Sequence, residues 1–346
     1  MKIGNRQIGD GHPAYLIAEM SANHAGSLEQ AKEIIYQAKE AGADCIKIQT
    51  YTADTLTINC DNEYFQLKEP LWKGQNLYHL YEKGYMPWEW QQELKEAAKK
   101  VEIDFFSSPF DKTAVDFLEE LQVEFYKIAS FELVDIPLIK YVASKGKPII
   151  MSTGMATFEE IKEAVEAVYE MGNKQLALLK CSSAYPAVSK DMNLNTMVDM
   201  KKQFEIPIGL SDHSLGSLGA VTAVALGANI IEKHFCLDRN CDSPDAAFSM
   251  TPAEYKQMVQ DIRAVESAKG MVTYGPSLQE KNNIDFRRSL FVTKPVKKGE
   301  AFTEENLRSI RPGYGLHTRY YEELLGKIAT KDIEMGTPMS WDFVDK

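Results

Sequence analysis

Residues 14–50 read AYLIAEMSANHAGSLEQAKEIIYQAKEAGADCIKIQT. The stretch opens on a short apolar run, Ala14–Met20, and closes on another, Cys45–Thr50. Between them apolar residues recur at helical spacing as far as Gly42. The unit is strand, helix, strand. Each apolar run also carries residues able to do chemistry: Glu19 in the first, Lys47 and Gln49 in the second.

The same unit recurs down the chain. DFFSSP (104–109) carries Ser107 and Ser108, FYKIAS (125–130) carries Lys127 and Ser130, and PIIMST (148–153) carries Ser152 and Thr153. LALLKC (176–181) ends with Lys180 and Cys181, PIGLSD (207–212) with Ser211 and Asp212, and IIEKHF (230–235) carries Glu232 and His234. Helix-like stretches separate these runs, among them TFEEIKEAVEAVYEM (157–171), where Thr157 and Glu160 suit a capping box. Eight such units predict an α/β fold, a closed (β/α)8 TIM barrel, whose C-terminal strand ends converge on one mouth. A doubly wound open sheet is the alternative. No GxGxxG turn follows the first strand, which counts against its dinucleotide-binding version.

The barrel is expected over residues 1–270, a linker over 271–285 and a small β-rich module over 286–346. In that module KKGE (297–300) suits a turn and TEEN (303–306) the start of a short helix. The segment Tyr51–Met86 exceeds an ordinary connection and is predicted to fold over the mouth. Its aromatic residues Tyr64, Phe65, Trp72, Tyr78, Tyr81 and Tyr85 favour packing over a floppy insertion.

Bulk properties narrow the function. The chain has 346 residues, 44% of them hydrophobic, enough for a large core and a satellite module. A net charge of −11 argues against broad nucleic-acid binding, so an anionic substrate must meet a local cluster of positive groups. The five cysteines are scattered and form no CxxC pair, which predicts reduced thiols in a cytoplasmic protein. No secretory h-region and no apolar run of membrane-spanning length is present, so no membrane association is expected.

Lys47, Lys127 and Lys180 lie on different strands, and a lysine in an apolar strand is costly to bury unless it meets an anion. With Ser130, Ser152 and Ser211 they suit a phosphate or carboxylate; each lysine alone could instead snorkel to a strand end. His213 and His234 end adjacent strands about 4.8 Å apart, within reach of one divalent metal ion. A hydrogen-bonded core histidine is the other reading. Glu19 suits a general base, and Glu232 suits either a partner of His234 or, like Glu19, an ion pair with Lys47 or Lys127. Asp245 sits on the loop after the eighth strand and suits a hydrogen bond to a polyol or to a metal-bound water. Arg311 in RPGYG is either a surface residue or a planar fork that closes a site.

Taken in order, AEMSANHAG (18–26), KIQT (47–50), SSPF (107–110), YKIAS with Glu132, STGM (152–155), SDHS (211–214), Glu232 with His234, and RPG (311–313) resemble the sialic acid synthases. These are phosphoenolpyruvate-dependent synthases of nine-carbon 2-keto acids, and the resemblance covers nearly the whole chain. It implies a TIM barrel followed by an antifreeze-like (SAF) domain. It also implies a divalent metal ion such as Mn or Mg, and phosphoenolpyruvate and an acetamido-sugar aldose as substrates. A homodimer is implied too, in which one subunit's SAF domain caps the other's barrel. Carried over residue by residue, the base-like glutamate is Glu19. The phosphoenolpyruvate ligands are Lys47, Gln49, Ser108, Lys127, Ser130, Ser152 and Ser211, and the metal ligands are His213 and His234. The sugar-side contacts are Phe110, Tyr185 and Asp245, and the cross-subunit arginine is Arg311. Of these, Glu19, Lys127 and Asp245 are expected to be catalytic.

The chain departs from the N-acetylneuraminate pattern. It has Ser182-Ser183 before Ala184-Tyr185-Pro186 where that branch has Thr-Asn before Ile-Tyr-Pro, and Tyr314, Leu316 and His317 where the branch reads RPGTGI. These changes suit an acceptor more hydrophobic than N-acetylmannosamine, such as a 6-deoxy diacetamido sugar. Two rival classes are a Schiff-base aldolase using Lys127 and a non-catalytic sugar-binding protein.

Overall fold

A computed structural model of the protein describes residues 1–67 and 76–345. They form two compact units, Met1–Gly270 and Met271–Lys346. The first begins with a hairpin, β1 (Lys2–Ile3) and β2 (Arg6–Gln7). Eight parallel strands follow: β3 (Tyr15–Glu19), β4 (Cys45–Thr50), β5 (Asp104–Pro109), β6 (Tyr126–Ile128), β7 (Ile149–Ser152), β8 (Leu176–Cys181), β9 (Ile208–Asp212) and β10 (Ile230–His234). They pair in chain order, and β10 closes on β3. The predicted closed barrel is therefore present, not the open sheet.

The helices are α1 (Leu28–Glu40), α2 (Ala53–Leu56), α3 (Leu77–Gly84), α4 (Gln91–Lys100), α5 (Lys112–Glu120), α6 (Ile136–Ala143), α7 (Phe158–Glu170), α8 (Asn195–Phe204), α9 (Leu218–Ala225) and α10 (Pro252–Lys269). The Thr157–Glu160 capping box opens α7 as the sequence predicts. The core has two layers. Leu16, Ile46, Tyr126, Met151, Leu178 and Ile231 point outward under the helices. Tyr15, Ile17, Cys45, Phe106, Ile150, Ala177, Leu179 and Ile230 fill the barrel, with Ile3 and Ile8 of the hairpin segment packed against them.

The inner layer is tight. A Cβ at Gly209 would lie 2.2 Å from the carbonyl oxygen of Ile230, so only glycine fits this inward position. Side chains alternate between the two faces of a strand. The inward series that is apolar at the N-terminal end therefore continues, two residues at a time, into the polar residues at the other end.

The Tyr51–Met86 connection contains α2 and α3. Tyr51 and Tyr81 pack edge to face at 5.9 Å between ring centroids. Tyr64 is exposed, so it does not share in that packing. Trp72 lies outside the described residues. No helix among the described residues is long and apolar enough to cross a membrane.

The second unit pairs β11 (Ser289–Val292) with β12 (Leu307–Ile310) in antiparallel fashion and has a short α11 (Tyr321–Leu324). Leu290, Val292, Val296, Phe302, Leu307 and Leu324 belong to its own core. The expected helix at TEEN is absent. The Asn306 side chain accepts from the Thr303 N–H at 2.8 Å, which makes a turn that runs straight into β12.

Candidate active site

Strand parity gathers the polar set. Glu19, Lys47, Gln49, Ser108, Lys127, Ser152, Cys181, Ser211, Glu232 and His234 all stand an even number of positions from the inward apolar residues of their strands. A cavity of about 510 Å³ opens over most of them, with a floor of Glu19, Lys47, Lys127 and Glu232. Ser211, His213, His234, Ser130, Ser152, Gln49, Tyr185, Phe110 and Asp245 also line it. Ser108 is buried beside Gln49 in the register and does not reach the cavity surface.

Register decides the ion pairs on the floor. Lys47 lies between two acids, 2.7 Å from Glu232 Oε1 and 3.3 Å from Glu19 Oε2. Lys127 lies 3.4 Å from the same Glu232 oxygen, and Ser211 Oγ donates to it at 3.4 Å. Glu232 thus joins the lysines and does not partner His234. Gln49 Nε2 donates to Glu19 Oε1 at 2.9 Å and to Ser21 Oγ at 3.0 Å, which orients the acid.

The two acids separate in character. Burial pushes the Glu19 carboxyl up to about 7, with Glu232 adding to it and Lys47 opposing. Burial acts the same way on Glu232, but Lys127 and Lys47 outweigh it and hold that carboxyl at about 2. Burial also holds the Lys127 ammonium down to about 8, against the pull of Glu232. Lys47 is the opposite case: burial opposes its charge, yet Glu19 and Glu232 prevail and keep it above the ordinary lysine range. Two carboxyls pushed apart in this way can take different protonation roles.

His213 and His234 face each other with ring centroids 5.2 Å apart. His213 Nδ1 lies 3.1 Å from the Ser182 carbonyl oxygen and, as donor to it, leaves the other ring nitrogen for a ligand. Burial, and then the neighbouring positive groups, hold His234 well below the ordinary histidine range, so it is a neutral imidazole with a lone pair to offer. Its Nδ1 is buried without a hydrogen-bond partner among the described residues, as are Ser108 Oγ, Ser152 Oγ and Glu232 Oε2. Buried polar groups are rarely left unpaired, and those of His234, Ser152 and Glu232, all of which line one cavity, indicate a polar ligand.

The two imidazoles fit a divalent cation. Among the described residues no group of three or more His, Cys, Asp or Glu side chains is arranged to hold one. An ion here would rest on His213 and His234 and draw its remaining ligands from water or substrate.

Among the residues expected to meet a sugar, Phe110 packs edge to face on Tyr51 at 5.3 Å and the Tyr185 ring lies tilted against His213 at 4.5 Å. Asp245 accepts from Ser21 Oγ and Ala22 N, and burial pushes its carboxyl up. Ser130 Oγ accepts from Gly154 N at 3.1 Å. Arg311 belongs to the second unit, is exposed, and its side chain has no hydrogen bond or ion pair among the described residues.

Three features differ from the sequence reading. Lys180 turns outward and donates to the Cys181 carbonyl oxygen at 2.7 Å, so it is not part of the donor ring. Cys181 points inward instead, 3.7 Å from His213 Nδ1. Burial raises that thiol, and the contacts with His213, Ser130 and Ser183 bring it down to about 6. Glu132 lines the cavity from the turn after β6, with burial pushing it up to about 7. It sits just past the FYKIAS run, where no periodic pattern marks it.

The NeuB family model matches residues 34–274, and an SAF domain model matches residues 287–345. The chain belongs to the NeuB family. Within it, this chain is 49% identical to a pseudaminic acid synthase of Campylobacter jejuni over 97% of each chain. It is 44% identical to a pseudaminic acid synthase of Helicobacter pylori over 96% of this chain and 98% of the other. The crystal structure of the spore coat polysaccharide biosynthesis protein SpsE from Bacillus subtilis aligns with a TM-score of 0.68 at 35% identity, covering 100% of this chain and 99% of the other. The barrel and SAF architecture expected from the sequence is thus that of its NeuB family relatives.

Proposed function

We propose that the protein condenses phosphoenolpyruvate with 2,4-diacetamido-2,4,6-trideoxy-L-altrose to give pseudaminic acid and phosphate; nearly full-length relatives are named pseudaminic acid synthases. The observation that carries the chemistry is the lysine pair beneath the cavity, Lys47 already matched by two acids and Lys127 only loosely by one. An anion placed there meets an unspent positive charge in a dry site, where such an interaction is strong.

In this reading Lys47, Lys127, Gln49, Ser130, Ser152 and Ser211 hold the phosphate and carboxylate, and Ser108 lies buried beside Gln49 without reaching the cavity. The buried, unpaired hydroxyl of Ser152 supports that assignment. C3 of the enol attacks the aldehyde carbon, whose oxygen takes up a proton to become the new hydroxyl, and water adds at C2. The tetrahedral intermediate loses phosphate by C–O cleavage. Glu19, oriented by Gln49 and titrating at about 7, takes the proton of the adding water. Asp245, Tyr185 and Phe110 position the sugar. His213 and His234 would hold a divalent cation, which would supply Lewis-acid polarisation of a carbonyl. The exposed guanidinium of Arg311 is free to close a second copy's cavity, so the homodimer belongs to the same proposal.

The test is an acceptor panel read by phosphate release. Turnover is expected with the trideoxy sugar. Turnover confined to an N-acetylmannosamine or legionaminate-type acceptor would overturn the specificity, and release of phosphate with none of them would overturn the synthase.

A further inference from the structure

The cavity has two faces of opposite character. Its floor is charged. One wall is built by the connection between β4 and α4, where Leu77, Leu80, Tyr81 and Gly84 of α3 all line the cavity. Their spacing of three, one and three places them on one face of that helix. The opposite face is polar and exposed, carrying His79 and Glu82 in contact at 3.2 Å and Lys83 bonded to Asp242 at 3.0 Å. Leu56, at the end of α2, and Leu67 join the same wall. The four leucines are only half-buried, and none of them belongs to the apolar clusters of the barrel among the described residues. An amphipathic helix ordinarily spends its apolar face on the core; α3 turns its own onto a cavity.

A leucine wall gives nothing to a hydroxyl, and polyhydroxylated ligands are normally met by hydrogen-bonding side chains. It does favour a methyl group. The reacting aldehyde carbon must lie against the floor beside the anion. The far end of a six-carbon chain therefore points away from the floor, and α3 with Leu56 and Leu67 supplies apolar lining that it can meet there. We infer that Leu77 and Leu80 select the acceptor by receiving its deoxygenated C6 methyl, and that this wall discriminates against the 6-hydroxy congener of the same sugar. The inference rests on the proposed synthase reading and names the part of the site that sets its substrate class.

A hydrophobic surface rejects an added hydroxyl only modestly, by about a hundredfold at most. The test compares kcat/KM for the 6-deoxy diacetamido aldose and its 6-hydroxy congener, at saturating phosphoenolpyruvate, in the wild type and in Leu77→Asn, Leu80→Asn and Leu80→Met. The wild type is expected to favour the 6-deoxy sugar by roughly ten- to a hundredfold. Leu80→Asn and Leu77→Asn should each compress that ratio at least about fivefold, chiefly by worsening the 6-deoxy substrate. Leu80→Met should keep the ratio, and KM for phosphoenolpyruvate should hold in all three, which reports an intact floor. Equal use of both sugars by the wild type, or a ratio untouched by both asparagine variants while KM for phosphoenolpyruvate holds, overturns the wall and leaves the synthase standing. Turnover of neither sugar overturns the synthase reading itself, and the wall with it. Loss of phosphoenolpyruvate binding in the asparagine variants places α3 in the support of the floor and overturns its role as a selector.

Discussion

Replacing Lys127 by methionine tests the charged floor directly. The side chain is buried and its nearest acid oxygen, on Glu232, is 3.4 Å away. That acid is held more closely by Lys47, at 2.7 Å. Removing Lys127 therefore leaves Glu232 paired, and methionine keeps the length and apolar stem, so the barrel should persist. What is lost is the charge not already committed to the protein. A hydrogen bond to a charged group is worth about 1.5–3 kcal/mol, which is roughly a ten- to 150-fold weaker affinity for phosphoenolpyruvate. The pH dependence supplies an internal control. Burial holds the Lys127 ammonium down to about 8, so it is cationic below that pH and neutral above it. A phosphate monoester is already fully ionised there, with a second pKa near about 6. Wild-type affinity should fall as pH rises through about 8, and Lys127→Met should not show that fall. Isothermal titration calorimetry from pH 7 upward, with circular dichroism to confirm the fold, measures both. Unchanged affinity at pH 7, or a variant that keeps the same alkaline fall, refutes the assignment.

The other expectations are independent of that one. Because Glu19 is pushed up to about 7 and acts when ionised, kcat/KM should rise through neutral pH. Glu19→Gln should lose that limb and roughly 10²–10⁴ in rate with phosphoenolpyruvate binding retained, and a normal acidic limb in the variant would count against it. Chelation, or His213→Asn, should abolish phosphate release and the bound metal content while leaving the thermal transition of the folded barrel in place; full activity after chelation would remove the metal role. Lys233 and Asp212 form a pair 2.8 Å apart on the outer side of β9 and β10, with side chains 1% and 0% exposed. Lys233→Met should therefore cost about 3–5 kcal/mol in urea unfolding, and a loss under about 1 kcal/mol would show the pair to be idle. Arg311→Ala should lower kcat/KM for the acceptor by roughly tenfold or more without changing the mass measured by light scattering; unchanged kinetics would withdraw the capping proposal.

Much of this site was legible before any tertiary structure. Parallel strands in a barrel all point their C-terminal ends the same way, and alternate residues share a face. Lys47 with Gln49, Glu232 with His234, and Ser211 with His213 are therefore neighbours by counting alone. Counting also explains the error at Lys180. It was chosen for its charge, but parity belongs to Cys181 one place later, and a shift of one residue exchanges the two faces of a strand. The cavity-lining place of Glu132, known from the sequence only as part of a motif, and that of the leucines of α3 were out of reach for a different reason. These residues sit on a turn and in a long connection, and only the folded chain aims them at the cavity.

The amino-acid sequence alone determined the alternation of strand and helix, the barrel, a separate small module and the end of the barrel where polar side chains collect, because periodicity is a local property of the chain; that the module is an SAF domain followed from the family resemblance. The tertiary structure alone decided the partnerships: Lys47 and Lys127 both turn to Glu232, which lies 185 residues from Lys47. It also decided the split of the two glutamates into one acid titrating at about 7 and another at about 2. Those outcomes depend on inter-strand register and on burial, and both exist only once distant segments have come together.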